Sequence, residues 1–341
     1  MIKDISIGGR MVGNGQPVFI IAEVSANHRG NIKTALSAID VAAGAGADAV
    51  KFQHLTAEKI AAEPLSSFYK SAELPYGWTA ELAGHAKKNN IIFLSTPFDT
   101  GAVDVLDPYV PVYKVASYEM TDDLLLRHIA KKKKPIILST GMAYLEEVKH
   151  AVEVIQKEGN ADIVVLHCTS LYPPEPRDFN LRAIETMHCE LGLPVGYSDH
   201  SEPASNAATL GAIALGACII ERHITDSQEG GSNDDKNSMT VEQFKYMVAE
   251  VRALEAALSG SGLKEPVSAP GRGVDEMKER GTRRSLYAAR DLKVGEDITE
   301  DMFITLRPVR GVEPKDLLSL LGKKLKRPLS AREPLTDAEV E

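Results

Sequence analysis

The chain has 341 residues, 43% of them hydrophobic and 26% charged, so it can bury a full core without cross-links. With 48 acidic against 39 basic residues and a net charge of −9, it lacks the basic balance of broad nucleic-acid or membrane-surface binders; a pocket can still be locally positive. Cys168, Cys189 and Cys218 are too few and too scattered for a disulfide framework or a zinc motif.

The segment Ile5–Pro17, with Gly8-Gly9 and Gly13-Asn14-Gly15, reads as a hairpin suited to plugging the bottom of a barrel. Eight short apolar runs come next: Val18–Val24, Ala47–Gln53, Ile91–Ser95, Val112–Ala116, Pro135–Ser139, Ile163–His167, Pro194–Tyr197 and Ala217–Arg222. They are nearly continuous in apolar residues, the signature of parallel strands covered on both faces. Helical patterns alternate with them: Ile32–Ala45, Thr79–Asn89, Thr100–Leu106, Thr121–Lys133, Leu145–Glu158, Asn180–Glu190, Glu202–Leu215 and Thr240–Leu258. Eight strand–helix pairs predict a (β/α)8 barrel of ~250 residues. No glycine-rich fingerprint follows the first strand, which weakens a dinucleotide-binding reading. Cys168 and Cys218 lie in apolar runs and read as small core residues. The run Lys131–Lys134 reads as a solvated helix end.

Residues 1–262 are therefore assigned to the barrel. Ser259–Gly273 is linker-like, and 263–280 is taken as the connection. Residues 281–341 read as a small α+β domain, with β-like pieces at Ser285–Ala289 and Leu329–Ser330. The N-terminal Met-Ile-Lys-Asp carries no apolar leader, and no apolar run reaches ~18 residues. A cytoplasmic enzyme without a membrane partner is the expectation.

Barrel enzymes carry their chemistry where strands end. Here every strand end is polar: Glu23, Lys51 and Gln53, Ser95–Asp99, Lys114 with Ser117 and Glu119, Ser139, His167–Tyr172, Ser198–His200, and Glu221–His223. Capping explains one such residue but not eight in succession. Lysines in apolar strands need an anionic partner. Lys51 and Lys114 with nearby hydroxyls suit a phosphate or carboxylate cradle; internal salt bridges to Glu23 or Glu119 are the alternative. His200 and His223 end adjacent strands. Two imidazoles at one mouth suit a divalent metal with open positions, or are hydrogen-bonded core histidines.

Taken together, IAEVSANHRG, KFQ, STPFD, KVASYE, STGM, LHCTSLYP, GYSDH and IIERHIT, followed by RRSLYAARDLKVGEDIT and LRPVRGVEP, resemble the sialic acid synthase family over essentially the whole chain. That family makes nonulosonic acids from phosphoenolpyruvate and an N-acetylated sugar. The tail resembles its antifreeze-like SAF domain. SANH, KVASYE and the FYKSAELPYGW segment look closer to pseudaminic acid synthases, whereas LHCTS and GYSDH look closer to the sialic and legionaminic branch.

The resemblance implies a metal on His200 and His223, usually manganese, with magnesium or cobalt tolerated. It implies phosphoenolpyruvate on Lys51, Lys114, Ser117, Ser139, Tyr172 and Ser198, and Ser170 stands where some members have asparagine. Glu23 and Glu119 match acidic residues near the reacting carbons. Gln53 and Asp234 fall at the sugar end. Arg307 matches an arginine that reaches into a partner's pocket, which implies a domain-swapped homodimer. Two other readings remain open on the residues alone: a metal- or lysine-dependent pyruvate aldolase on the same barrel, and a non-catalytic carbohydrate-binding protein.

Overall fold

The computed structural model describes residues 2–260, 262, 267–269, 274–276 and 280–341. The chain divides into two compact units, Met1–Gly260 and Ser261–Glu341. In the first, β1 (Ile5–Ile7) and β2 (Arg10–Val12) form an antiparallel hairpin. Gly8 and Gly9 form its turn, with φ of 58° and 89°; such values suit a type I′ connection, and only glycine adopts both without strain.

Eight parallel strands come after the hairpin: β3 (Phe19–Glu23), β4 (Ala49–His54), β5 (Ile92–Pro97), β6 (Tyr113–Val115), β7 (Ile136–Ser139), β8 (Ile163–Cys168), β9 (Val195–Asp199) and β10 (Ile219–His223). They run in the ladder order β5-β4-β3-β10-β9-β8-β7-β6. The pairing of β3 with β10 joins the first strand to the last. Strands β5 and β6 are neighbours without a ladder between them, so the barrel is nearly closed.

Alternation along each strand sets what faces inward. Phe19 and Ile21, Ala49, Leu94, Val112, Ile137, Val164 and Leu166, and Ile219 pack inside the barrel with Ile5, Ile7 and Val12 of the hairpin. The hairpin thus plugs the bottom with apolar side chains. Residues of opposite parity, such as Ile20, Val50, Phe93, Val115, Leu138, Val165, Tyr197 and Ile220, pack outward against the helices. Both faces are buried, which is why the runs look continuous in sequence. Continuing the inward parity one or two steps toward the strand ends gives Glu23, Lys51, Thr96, Lys114, Ser139, Cys168, Ser198 and Glu221. The inward column changes from apolar to polar at one level around the barrel.

The covering helices are α1 (Ile32–Gly44), α4 (Thr79–Lys88), α5 (Thr100–Leu106), α6 (Asp123–Lys131), α7 (Leu145–Lys157), α8 (Ala183–Leu191), α9 (Ala207–Ala214) and α10 (Val241–Leu258). Two short helices not anticipated from sequence, α2 (Ala57–Ile60) and α3 (Leu65–Tyr69), lie in the loop after β4. Three expected helices start late for local reasons. Asp122 caps α6 by accepting from Leu124 and Leu125 amides, so Thr121 falls outside. Asn180 has φ of 43° and precedes α8. The carbonyls of Ser201 and Glu202 accept from Arg222, and Pro203 disfavours helix before it, so α9 begins only at Ala207.

Within 263–280, β11 (Ser268–Ala269) pairs with β12 (Val274–Asp275); the other linker residues, apart from 267, 276 and 280, lie outside the described residues. In 281–341, β13 (Ser285–Ala288) pairs antiparallel with β14 (Phe303–Leu306). Leu329 contributes an isolated bridge to Leu292 rather than a strand. Between residues 281 and 341 the helical part of the unit is confined to 3-10 turns. Its own core joins Leu286, Leu292, Ile298, Leu325 and Leu335. No helix among the described residues is long and apolar enough to cross a membrane.

Candidate active site

One cavity of about 370 Å³ opens at the C-terminal ends of the barrel strands. It is lined by Glu23, Lys51, Gln53, Lys114, Ser117, Glu119, Ser139, Ser170, Tyr172, Ser198, His200 and His223, twelve of the residues singled out from the sequence. The same lining holds Glu221, Cys168, Thr96 and Phe98, strand-end residues to which the sequence gives no individual role, together with Tyr118, Leu55, Ile60, Leu65 and Tyr69. Cys168 is therefore a wall residue and not merely small core filling: its Sγ lies 3.7 Å from His200 Nδ1. Cys218 does belong to the apolar interior.

The floor is a buried charge cluster. Lys51 Nζ lies 2.6 Å from Glu23 Oε2 and 3.7 Å from Glu221 Oε2. Lys114 Nζ lies 3.5 Å from Glu221 Oε1, so its carboxylate partner is Glu221 rather than Glu119. Ser198 donates to Glu221 Oε1 at 3.1 Å and Gln53 to Glu23 Oε1 at 3.0 Å. Lys51 also donates to Thr96 Oγ1 at 3.2 Å.

The environments push these groups apart. Burial would raise Glu221, but Lys114 and Lys51 outweigh it and bring its pKa down to about 2. Burial raises Glu23 despite Lys51, and the Glu221 charge adds to the rise. Burial lowers Lys114, whereas for Lys51 the two carboxylates outweigh burial and raise it. Glu119 stands apart from the cluster. Burial raises it to about 7, and its Oε2 has no hydrogen-bond partner. Carboxyls separated in this way can divide acid and base work.

His200 and His223 occupy the upper wall with ring centroids 5.5 Å apart. His200 Nδ1 donates to the Thr169 carbonyl at 2.9 Å, which fixes its tautomer and leaves Nε2 as the lone-pair nitrogen. That Nε2 receives the Tyr172 hydroxyl at 3.2 Å. His223 Nδ1 is buried without a partner, and burial lowers the ring's pKa to about 4, so its lone pair is available at neutral pH. Burial lowers His200, but Cys168 and the Thr169 carbonyl outweigh it and raise the ring; a cation would displace any proton on Nε2, and two imidazoles with one oriented by a backbone carbonyl fit a divalent cation that keeps positions for other ligands. No group of three or more His, Cys, Asp or Glu suited to a metal occurs among the described residues, so these two rings form an open donor pair and not a closed structural site.

Parity separates this wall from its support. Between Ser198 and His200, Asp199 points outward and pairs with Arg222 at 2.6 Å, both fully buried. Arg222 also donates to Ser201 Oγ at 2.6 Å, and Thr209 donates to Asp199. This pair lashes the ends of β9 and β10 together from behind.

Asp234 does not line the cavity. It sits in the loop after β10, where Ser25 Oγ donates to its carboxylate. Ser25 is held at φ 48°, an unusual value for serine. Ser117 and Ser170 crowd Gly141: a Cβ there would come within 2.9 Å and 2.1 Å of their hydroxyl oxygens, and the Gly141 amide donates to Ser117. Ser139 Oγ is buried with no partner. Arg307 is exposed in the second unit.

A (β/α)8 barrel whose strand ends converge as two ammonium groups, a row of hydroxyls and two open imidazoles defines an enzyme that handles an anionic substrate. Residues 38–264 match the NeuB family and residues 283–341 the SAF domain; the chain belongs to the NeuB family. It is 39% identical to a pseudaminic acid synthase of Campylobacter jejuni, over 90% of this chain and 92% of that protein. It is 36% identical to an N,N'-diacetyllegionaminic acid synthase of the same species, over 89% and 94%. The crystal structure of the N-acetylneuraminic acid synthetase of Leptospira borgpetersenii superposes with a TM-score of 0.75 at 34% identity, covering 82% of this chain and 97% of that one.

Proposed function

We propose that the protein is a nonulosonic acid synthase. It joins phosphoenolpyruvate to an open-chain acetamido sugar, either a 2,4-diacetamido-2,4,6-trideoxyhexose or N-acetylmannosamine, and releases phosphate. The observation that carries this reading is convergence: Lys51, Lys114, His200 and His223, from four strands, meet with Ser139 and Ser198 in one cavity. The similarity to pseudaminic and legionaminic acid synthases over about nine-tenths of the chain supports it.

In this reading Lys114, Ser139 and Ser198 hold the phosphate, and Lys51, Ser117, Ser170 and Tyr172 complete the phosphoenolpyruvate site. Phosphoenolpyruvate C3 attacks the aldehyde carbon of the sugar. Water adds at C2, and phosphate leaves with its bridging oxygen by C–O cleavage, giving a 2-keto acid. Glu119, poised near neutrality and with its Oε2 unpartnered, takes the proton from the attacking water; Glu23, against Lys51, faces the same reacting carbons. Holding both substrates in one cavity supplies much of the acceleration. His200 and His223 would hold the divalent cation, manganese first and magnesium or cobalt as alternatives, and when bound it supplies Lewis-acid polarisation of the aldehyde.

Gln53, in the cavity lining, contacts the sugar, and Asp234, outside that lining in the loop after β10, contacts the part of the sugar that extends beyond it. Arg307 reaches a neighbouring pocket in a domain-swapped homodimer. Residues 1–262, 263–280 and 281–341 act as catalytic domain, connection and SAF domain of a cytoplasmic enzyme.

The test incubates purified protein, manganese and phosphoenolpyruvate with N-acetylmannosamine, the legionaminic precursor or the pseudaminic precursor. Phosphate release and a nine-carbon 2-keto acid by mass spectrometry are expected with at least one sugar. Consumption of free pyruvate with a borohydride-trapped lysine adduct would instead establish an aldolase.

A further inference from the structure

The loop after β10 carries Asp234, and its neighbour Asp235 is the better anchored of the two. Asp235 is 1% exposed, yet both its oxygens are saturated. Oδ1 accepts from Arg29 Nη2 at 2.8 Å and from Thr225 Oγ1 at 2.6 Å; Oδ2 accepts from Arg29 Nε at 3.2 Å and from the Ser232 amide at 2.7 Å. The guanidinium and carboxylate thus meet as a two-pronged fork, the geometry that fixes orientation as well as distance. Arg29 itself is held in the left-handed region, φ 51°. The loop is draped over it so closely that a Cβ on Gly230 would fall 1.9 Å from Arg29 Nη2.

The turn that supplies Arg29 grips the same loop at alternate residues. Asn27 Nδ2 donates to the Ile224 carbonyl and to Ser238 Oγ, both at 2.9 Å. Ser238 in turn donates to the Asp234 carbonyl at 2.7 Å. Ser25 holds the Asp234 carboxylate. One five-residue turn after β3 therefore ties the backbone on both sides of Asp234 and the side chain itself. None of Asn27, Arg29 or Asp235 lines the cavity; nor does Asp234, but its charge acts on His223 and Tyr172 in the cavity wall, which that of Asp235 does not.

We infer that Arg29 and Asp235 are positioning residues: their fork, a buried carboxylate on a partly exposed guanidinium, fixes the 225–240 loop so that Asp234 meets the sugar, and it sets affinity for the sugar without touching either substrate. This rests on the proposed reading of Asp234 as a sugar contact. The phosphoenolpyruvate end, built on strand residues across the barrel, does not depend on the fork.

The experiment uses the full-length protein with Asp235→Asn, Arg29→Met, the double variant and Asp226→Asn. Each substrate is varied in turn, and backbone hydrogen exchange is followed by mass spectrometry. Asp235→Asn and Arg29→Met each raise the sugar KM about tenfold or more, as expected for opening one side of a buried ion pair. The phosphoenolpyruvate KM stays within about twofold, and exchange quickens across residues 226–238 alone. The double variant is no worse than the worse single one. Asp226, the exposed partner of Arg29 at 2.7 Å, is the control, and its loss changes every constant less than about twofold.

Sugar and phosphoenolpyruvate KM rising together, or an unchanged sugar KM, overturns the inference. Should the ion-pair variants fail to fold, Thr225→Val keeps the ion pair and removes the hydroxyl that donates to Asp235 and accepts from Arg29 and the Ser227 amide; it gives a smaller rise in sugar KM alone, and no rise overturns the inference. If the unaltered protein turns over none of the sugars, the synthase reading fails. The fork is then judged by exchange, and loop exchange unchanged by Asp235→Asn overturns it separately.

Discussion

Replacing Glu221 by glutamine tests the charge cluster under the cavity. Glu221 bridges both lysines, lying 3.5 Å from Lys114 and 3.7 Å from Lys51, and its pKa falls from 4.5 to about 2 because those cations outweigh burial. That shift corresponds to about 3 kcal/mol of stabilisation at neutral pH, in line with the ~3–5 kcal/mol lost when one member of a buried pair is removed. For a unit of this size the melting temperature should fall roughly 6–12 °C. Because the folded pKa is depressed, the contribution is fully present above about pH 4.5 and fades as pH falls toward 2. The gap between Glu221→Gln and the unaltered protein should therefore be constant from pH 5 to 8 and narrow between pH 4.5 and 3, read by thermal melts across that range. Phosphoenolpyruvate should restore part of the loss, since it supplies the negative charge that Lys114 then lacks. A variant melting within 2 °C (about 1 kcal/mol or less) at pH 7, or a gap that does not narrow in acid, would show that Glu221 does not neutralise the lysines.

Glu119 has the opposite sign. Its pKa is raised by burial from 4.5 to about 7, so stability present below pH 4.5 is lost as pH rises through 7, by up to about 3 kcal/mol; Glu119→Gln should flatten that slope in melts and remove the limb near pH 7 from the rate profile, at a cost of about 10²–10⁴ in turnover. Asp199→Asn strands buried Arg222 and should cost about 3–5 kcal/mol, while the folded fraction keeps its phosphoenolpyruvate affinity by calorimetry. Stripping metal with EDTA should abolish turnover and manganese should restore it, whereas His200→Ala should not be rescued; full activity after thorough metal removal refutes the role given to the two imidazoles.

The barrel is legible because eight apolar runs repeat at strand–helix spacing, and the site because polar residues recur at every strand end. What stays hidden depends on parity and on distance. Glu221 is two residues before His223 and so shares its inward face; strict alternation along β10 finds it, although its role as counter-charge to Lys114 cannot be read from sequence. Cys168 looks like core filling because it ends the apolar run of β8; it shares the inward parity of Val164 and Leu166 but sits at the level where the column meets the cavity. The apolar lining from Ile60, Leu65 and Tyr69 comes from short helices with too few turns to show a period, and Leu55 from the connection just before them. Asp234 and Asp235 cannot be told apart in sequence, since only the position of Arg29, some two hundred residues earlier, decides which one is buried.

The alternation in β9 and β10 also limits how such a chain can change. Inserting a single residue into either strand would turn its imidazole into the helix layer and swing Arg222 or Asp199 into the cavity. Length can vary beyond the strands, as in the stretches around 55–78 and, away from its ties to the 25–29 turn, 225–240. New sugar preferences therefore have room to arise by rebuilding those two stretches, while the machinery beneath them stays in frame.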